Sequence, residues 1–417
     1  MAKNKADSYE CRQYFQYSTL TFINQDILDR GREKQGEIAA ELAKIWYQRA
    51  TELGNERTQD YFCHKYKNVT FDRHADTQAL GRLRRDYFNA IKSRVQKKEI
   101  LNIFFEDRLQ ADDKKEKYDV SLERDRSVEL WLERNGKGYD LYIGGNGGVE
   151  APEDSSYLFY GYGNVKQILL KKNIDTSKVR NMSWMFSGCN HLQKLDVRNF
   201  DTKNVQDMSW MFSGCNHLQE LNVRNFDTKN VQDMPGMFSG CNHLQELDVR
   251  NFDTKNVQDM SSMFSGCNHL QELDVRNFDT KNVQNMSSMF SGCDHLEELD
   301  VRNFDTKNVQ NMSSMFSGCN HLQELDVRNF DTKNVQNMSS MFSGCDHLEE
   351  LDVRNFDTKN VQNMSWMFCD CSQIKVLDVR NFNISNIKNV SYMFSGCCYI
   401  DRFQGIKQLK KILKDQI

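Results

Sequence analysis

Seven times between Cys189 and His347 the chain repeats Cys-x-His, each time 26 residues further on. Both side chains bind zinc, and two neighbouring pairs would supply the four ligands of a closed tetrahedral site. A disulfide framework is the other chemistry to consider, because the chain holds 13 cysteines. Their positions argue against both. Cys189, Cys215, Cys241, Cys267, Cys293, Cys319, Cys345, Cys371 and Cys397 share one apolar position of a repeat, where a free cysteine behaves as a small hydrophobe. The histidine comes just before an inward-facing leucine, so Cys and His should point apart. Coils stacked about 4.8 Å apart come within bridging range, but parallel side-chain vectors make the disulfide dihedral hard to reach. The expectation is a buried, reduced cysteine ladder with no metal and no cofactor.

Two further stretches hint at chemistry. Arg82, Arg84, Arg85, Lys92, Arg94, Lys97 and Lys98 surround Tyr87 and Phe88, a pattern compatible with a phosphate-binding face. Nearby acidic residues nearly balance these charges, so a solvated helix face with both aromatics in the core is the plainer expectation. Ile-Gly-Gly-Asn-Gly-Gly-Val around Gly144, Gly145, Gly147 and Gly148 lacks the Gly-Lys-Ser/Thr of a phosphate loop and is expected to be a turn. No nucleophile, base and orienting group stand together, so no enzyme and no small-molecule substrate are indicated.

The element that must position all these side chains is the repeat itself. Met-Phe recurs at Met185, Met211, Met237, Met263, Met289, Met315, Met341, Met367 and Met393 without an insertion. A fixed period of this length marks a stacked-repeat architecture and lies in the leucine-rich-repeat range. In the coil 270–296, Leu273 and Val275 alternate with Asp274 and Arg276, as in a short half-buried strand. Asp279-Thr280-Lys281-Asn282 is a polar corner. Met286, Met289 and Phe290 fall at i, i+3 and i+4, which predicts a short helical turn with Ser287 and Ser288 at its start and Gly292 at its exit. Pro235 occupies the first turn, where a missing N–H is tolerated. One coil cannot bury its apolar face alone, whereas a stack can. The fold class expected is an α/β repeat solenoid, with a parallel sheet on one face, short helical turns on the other and a small helical N-terminal domain.

Asp-Thr-Lys-Asn-Val-Gln-Asp-Met-Ser-Ser-Met-Phe-Ser-Gly-Cys-Asn-His-Leu-Gln-Glu-Leu-Asp-Val, from Asp253, resembles the 26-residue repeat of BspA-type leucine-rich-repeat surface proteins of bacteria. Pro-Glu-Asp-Ser-Ser-Tyr-Leu-Phe from Pro152 and Asn-Ile-Asp-Thr-Ser-Lys-Val-Arg-Asn-Met-Ser-Trp-Met-Phe from Asn173 resemble the start of that family's array. The resemblance covers roughly 150–400. It implies a solenoid used for adhesion or protein binding at the cell surface, and it carries over no catalytic residue.

Outside the repeats, apolar spacing predicts helices over 26–53, 56–66, 76–98 and 99–109, which make 1–112 a helical domain. Strands are expected over 118–123, 127–133 and 139–143, within a β-rich N-terminal cap at 118–172. The nine repeats fill 173–400, and 401–417 reads as a C-terminal capping helix. The net charge of −4 over 417 residues selects neither nucleic acid nor membrane. The basic start lacks the apolar segment of a secretory signal, which on its own indicates a cytoplasmic protein, and no apolar run is long enough for a membrane span. The Asp and Arg of each Leu-Asp-Val-Arg should face outward. Asp248, Arg250, Asp274, Arg276, Asp300, Arg302, Asp326 and Arg328 are therefore the candidate binding residues, with diagonal Asp–Arg contacts between coils and an extended or repetitive protein as partner. Two rival functions remain: a surface adhesin, and an effector whose N-terminal domain acts or binds nucleic acid while the repeats sense.

Overall fold

The computed structural model describes residues 80–399 and 402–405, all within one compact unit, Ala79–Ile417. It opens with two small sheets that begin the stack. Strand β1 (Gly81–Arg82) pairs with β6 (Val149–Glu150), and β6 pairs with β8 (Ile174–Asp175), all parallel. The larger sheet contains β2 (Ile100–Glu106), β3 (Lys117–Asp119), β4 (Val128–Asn135), β5 (Gly138–Gly145), β7 (Gln167–Leu169) and β9 (Lys194–Leu195). Its order is β3-β4-β5-β2-β7-β9, antiparallel at β3-β4-β5 and parallel from β5 onward. The β4–β5 hairpin turns on Gly136-Lys137, with Asn135 facing Gly138.

This sheet corrects the expected helices over 76–98 and 99–109. Residues 80–98 form β1, turns and short 3₁₀ segments at Tyr87–Ala90 and Lys97–Glu99, and the next stretch is strand β2. Ile100-Leu101-Asn102-Ile103-Phe104-Phe105 is rich in β-branched and aromatic residues, which suit a pleated surface, and Ile103 and Phe105 are fully buried. The described part of 1–112 is thus continuous with the sheet that leads into the repeats. The helices expected over 26–53 and 56–66 lie outside the described residues. So does the expected C-terminal helix over 401–417, apart from 402–405, where Gln404 forms a parallel bridge to Asp378.

From Asn181 on, the chain is a stack of near-identical coils. Parallel bridges link Asn181, Asp207, Asp233, Asp259, Asn285, Asn311, Asn337, Asn363 and Asn389 in succession. Each coil sends Val283, Met286, Met289, Phe290, Cys293, Leu296, Leu299, Val301 and Phe304, or their equivalents, into one continuous core. The Phe290 ring stacks between Phe264 and Phe316, with centroids 5.8 and 5.7 Å away. At the polar corner the fully buried Thr254 hydroxyl accepts a bond from the Asp279 amide (2.8 Å) and donates to the Asp279 carbonyl (3.1 Å). Asn282 donates its amide to the Lys255 carbonyl at 2.7 Å. The corner residues tie each coil to the one before or after it.

The expected helical turn is a different structure. Met286, Met289 and Phe290 are buried as the spacing requires, but the backbone is not helical. The amides of Met286, Ser288, Phe290 and Gly292 donate to the next coil, at Asn311, Ser313, Met315 and Ser317, over 2.7–3.0 Å. The amides of Met289, Ser291 and Cys293 close turns within their own coil. A helix would satisfy all these groups internally; here alternate groups are turned outward to the neighbour. That alternation puts Ser288 in the left-handed region (φ 56°), together with its equivalents Trp184, Trp210, Ser262, Ser314, Ser340, Trp366 and Tyr392. The serines do not cap as expected: the Asn285 side chain accepts the Ser287 amide instead. At Pro235-Gly236 the glycine holds the left-handed position (φ 58°). A Cβ there would sit 2.1 Å from the Trp210 indole, which lies over it. Among the described residues no helix is long and apolar enough to cross a membrane.

Candidate interaction surface

The eight residues singled out by the repeat pattern come together on the outer face that continues the large sheet. In each coil the Arg folds back on the Asp two residues earlier. Arg276 Nε and one terminal nitrogen donate to Asp274 Oδ1 and Oδ2 at 2.9 and 2.7 Å. The same two-pronged pairs join Arg250 to Asp248, Arg302 to Asp300 and Arg328 to Asp326. They are contacts within a coil, not the diagonal contacts expected between coils. An i, i+2 spacing on an extended segment puts both side chains on one face, and the Arg fork matches a carboxylate in its own coil. The Arg276 side chain remains 67% exposed and that of Asp274 31%, so the guanidinium is anchored yet still presented.

Arg224 is the exception. Its own coil carries Asn222 in place of Asp, and Arg224 donates to Asp248 of the next coil at 2.7 Å. The bonds from Arg250, helped by Arg224, hold the Asp248 carboxyl well below the usual carboxylate range. Bonds from Arg302 and Arg328 lower Asp300 and Asp326 to about 2.

Three features, two on this surface and one on the turn face, escaped the sequence-based expectation. Trp131, Tyr142, Phe104 and Leu169 face one another across β4-β5-β2-β7, with ring centroids 5.4 and 4.8 Å apart. The β7–β9 register runs to Ile168 opposite Leu195, one residue short of Leu169 and Asp196, so the apolar row leads toward the Asp row. Next to the Asp row, Glu220, Glu246, Glu272, Glu298, Glu324 and Glu350 form an exposed column. On the turn face, Tyr157, Trp184 and Trp210 stack at 5.9 and 5.3 Å, and Gly236 ends that stack. The αL position of each ring could have been inferred only by knowing where the amides of the turn go.

The Cys-x-His pairs separate as their order suggested. The Cys293 thiol is buried and donates to the Phe264 carbonyl at 3.2 Å. His295 lies outside, its Nδ1 2.7 Å from the Asn268 carbonyl, and its ring stacks between those of His269 and His321 at 5.3 and 5.2 Å. Burial pushes the thiols of Cys241, Cys293 and Cys345 up to about 12. Among the described residues no group of three or more His, Cys, Asp or Glu is placed to hold a metal ion.

The basic stretch 82–98 is not an open helix face. Arg82 pairs with Glu123, Arg85 with Asp154 and Arg94 with Glu116, while Arg84 donates to the Asp119 carbonyl and Lys97 to the Tyr160 carbonyl. Tyr87 is in the core and Phe88 packs against it. The glycines from Gly144 end β5 and turn at Gly147 and Gly148, both with positive φ, into β6.

Three overlapping stretches, 153–247, 243–325 and 320–408, match the family described as a Mycoplasma protein of unknown function, DUF285. No curated protein and no solved structure matches the chain.

Proposed function

We propose that this chain, which belongs to the DUF285 family, is a non-enzymatic recognition protein, a BspA-like leucine-rich-repeat solenoid that binds an extended protein segment along its outer sheet face. One observation carries this reading: the Asp–Arg pair recurs coil after coil, with each guanidinium fixed by its own carboxylate and still about two-thirds exposed. Such a face offers a lattice of equivalent contacts rather than a pocket. Many weak contacts in register add through effective concentration, so affinity should grow with the number of coils engaged.

Reversing Arg276, Arg302 and Arg328 to Glu together tests the site. Loss of a partner captured by the full-length chain and identified by mass spectrometry, with the circular dichroism spectrum unchanged, is the expected result. Undiminished capture by the variant moves the site off this face. The repeat's likeness to the BspA type supports a second reading, a surface adhesin. Protease shaving of intact cells separates the two locations, because only a surface protein is removed.

A further inference from the structure

Away from the repeat face, β3, β4, β5 and the turn before the second 3₁₀ segment line an open hollow of about 710 Å³. That size lies within the range of small-molecule sites, roughly 300–1,000 Å³. Among its charged lining residues, Val95 and Leu132 supply an apolar strip. Two tyrosines wall it, and each carries an arginine. The Arg134 guanidinium carbon lies 4.8 Å from the centre of the Tyr139 ring, directly across the β4–β5 pair, and that of Arg94 lies 6.0 Å from Tyr118.

The charges around the rim are unequal. Arg94 is neutralised by Glu116, and Lys115 by Glu133. Among the described residues no carboxylate pairs with Arg134. Its guanidinium, held over the Tyr139 ring by cation–π attraction, keeps its donors for something else. The guanidinium fork matches a carboxylate with two parallel bonds, and Val95, Leu132 and the two tyrosine rings match a hydrocarbon body beside that head.

We propose that this hollow binds a small amphipathic carboxylate, with its head on Arg134 and its apolar body between Tyr118 and Tyr139, over Val95 and Leu132. The site is independent of the interaction proposed for the repeat face. The Arg94–Glu116 pair is exposed and therefore weak, so Arg94 can turn toward an incoming anion without disturbing the fold.

The test uses the full chain and two probes of the same shape, naphthalene-1-carboxylate and its uncharged carboxamide, in isothermal titration calorimetry. One equivalent of the carboxylate should bind, at least tenfold more tightly than the amide. Arg134→Gln, at an exposed position, should remove that preference and leave amide binding unchanged. Tyr139→Leu should weaken both probes. Lys137→Gln, in the hairpin turn outside the hollow, should change neither and controls for a general loss of positive charge. Equal binding of acid and amide, a full carboxylate preference in Arg134→Gln, or no binding at millimolar probe each overturns the proposal.

Discussion

Arg224 reaches across to Asp248 of the following coil, 2.7 Å away, and Asp248 thereby serves two arginines, Arg224 and Arg250. The cause is one residue: Asn222 has no charge to hold Arg224 at home. Elsewhere in the row each carboxylate answers to the arginine of its own coil, so the sequence of one position decides whether the surface is built of separate pairs or of a link between coils.

The row sets an acid limit on stability. Side-chain bonds from Arg302, Arg328 and Arg354 hold Asp300, Asp326 and Asp352 at about 2 when folded, against 3.8 ordinarily. Carboxyls lowered by folding stabilise the protein above their unfolded value, and that contribution is lost as pH falls through the folded one. The melting temperature should therefore drop between pH 3.8 and about 2. Asp300→Asn, Asp326→Asn and Asp352→Asn combined should flatten that drop, as thermal melts in a pH series would show. An equally steep drop in the triple variant would place the acid sensitivity elsewhere.

Phe290→Ala should cost about 3–5 kcal/mol, as other large-to-small core changes do. The ring is fully buried and has a stacked ring on each side, so neighbouring coils cannot close the gap without losing their own stacking. Denaturant titration measures this; a midpoint shift worth under about 1 kcal/mol would mean the coils collapse around the cavity.

Ser288→Gly should stabilise the chain by about 1 kcal/mol, because a left-handed conformation costs an L-residue roughly that much and glycine nothing. Ser288→Val should do the reverse, since a β-branched side chain fits this region worst. Paired thermal melts decide the order: the glycine variant highest, the valine variant lowest.

The repeat cysteines should resist alkylation while the protein is folded. The thiolate is the nucleophile, and burial places Cys241, Cys293 and Cys345 near 12. Among the described cysteines Cys398, which is exposed, should react first with iodoacetamide at neutral pH. Peptide mapping that finds Cys293 modified as fast as Cys398 would show that the core opens readily.

The sequence made the stack and its core legible because the 26-residue spacing never slips and the apolar positions never change sign. The turn was misread because Met286, Met289 and Phe290 have the spacing of a helix, while the carbonyls that receive the alternate amides belong to residues about 25 positions further on. No local pattern records where those bonds end. Residues 99–109 were misread for a related reason: a run such as Ile100–Phe105 fits a buried helix or a buried strand, and only its partners in β5 and β7 decide. The Asp and Arg of each Leu-Asp-Val-Arg do face outward, but the choice of partner within the coil depended on the side-chain direction of an extended segment. The exchange of Asp for Asn222 acts through the reach of Arg224 to the next coil, which no pattern within one coil records.

The interchangeability of the coils has a genetic side. Between about Cys241 and Glu350 every junction presents nearly the same atoms to the next, and the hydrogen bonds across one junction recur 26 residues on at the next. Excising or duplicating one 26-residue unit there, by recombination between near-identical stretches of its gene, joins surfaces that already fit. The molecule can thus change length in whole steps without inventing an interface, like a ruler cut at its marks, while the aromatic stack that stops at Gly236 and the sheet that begins the array stay fixed at one end.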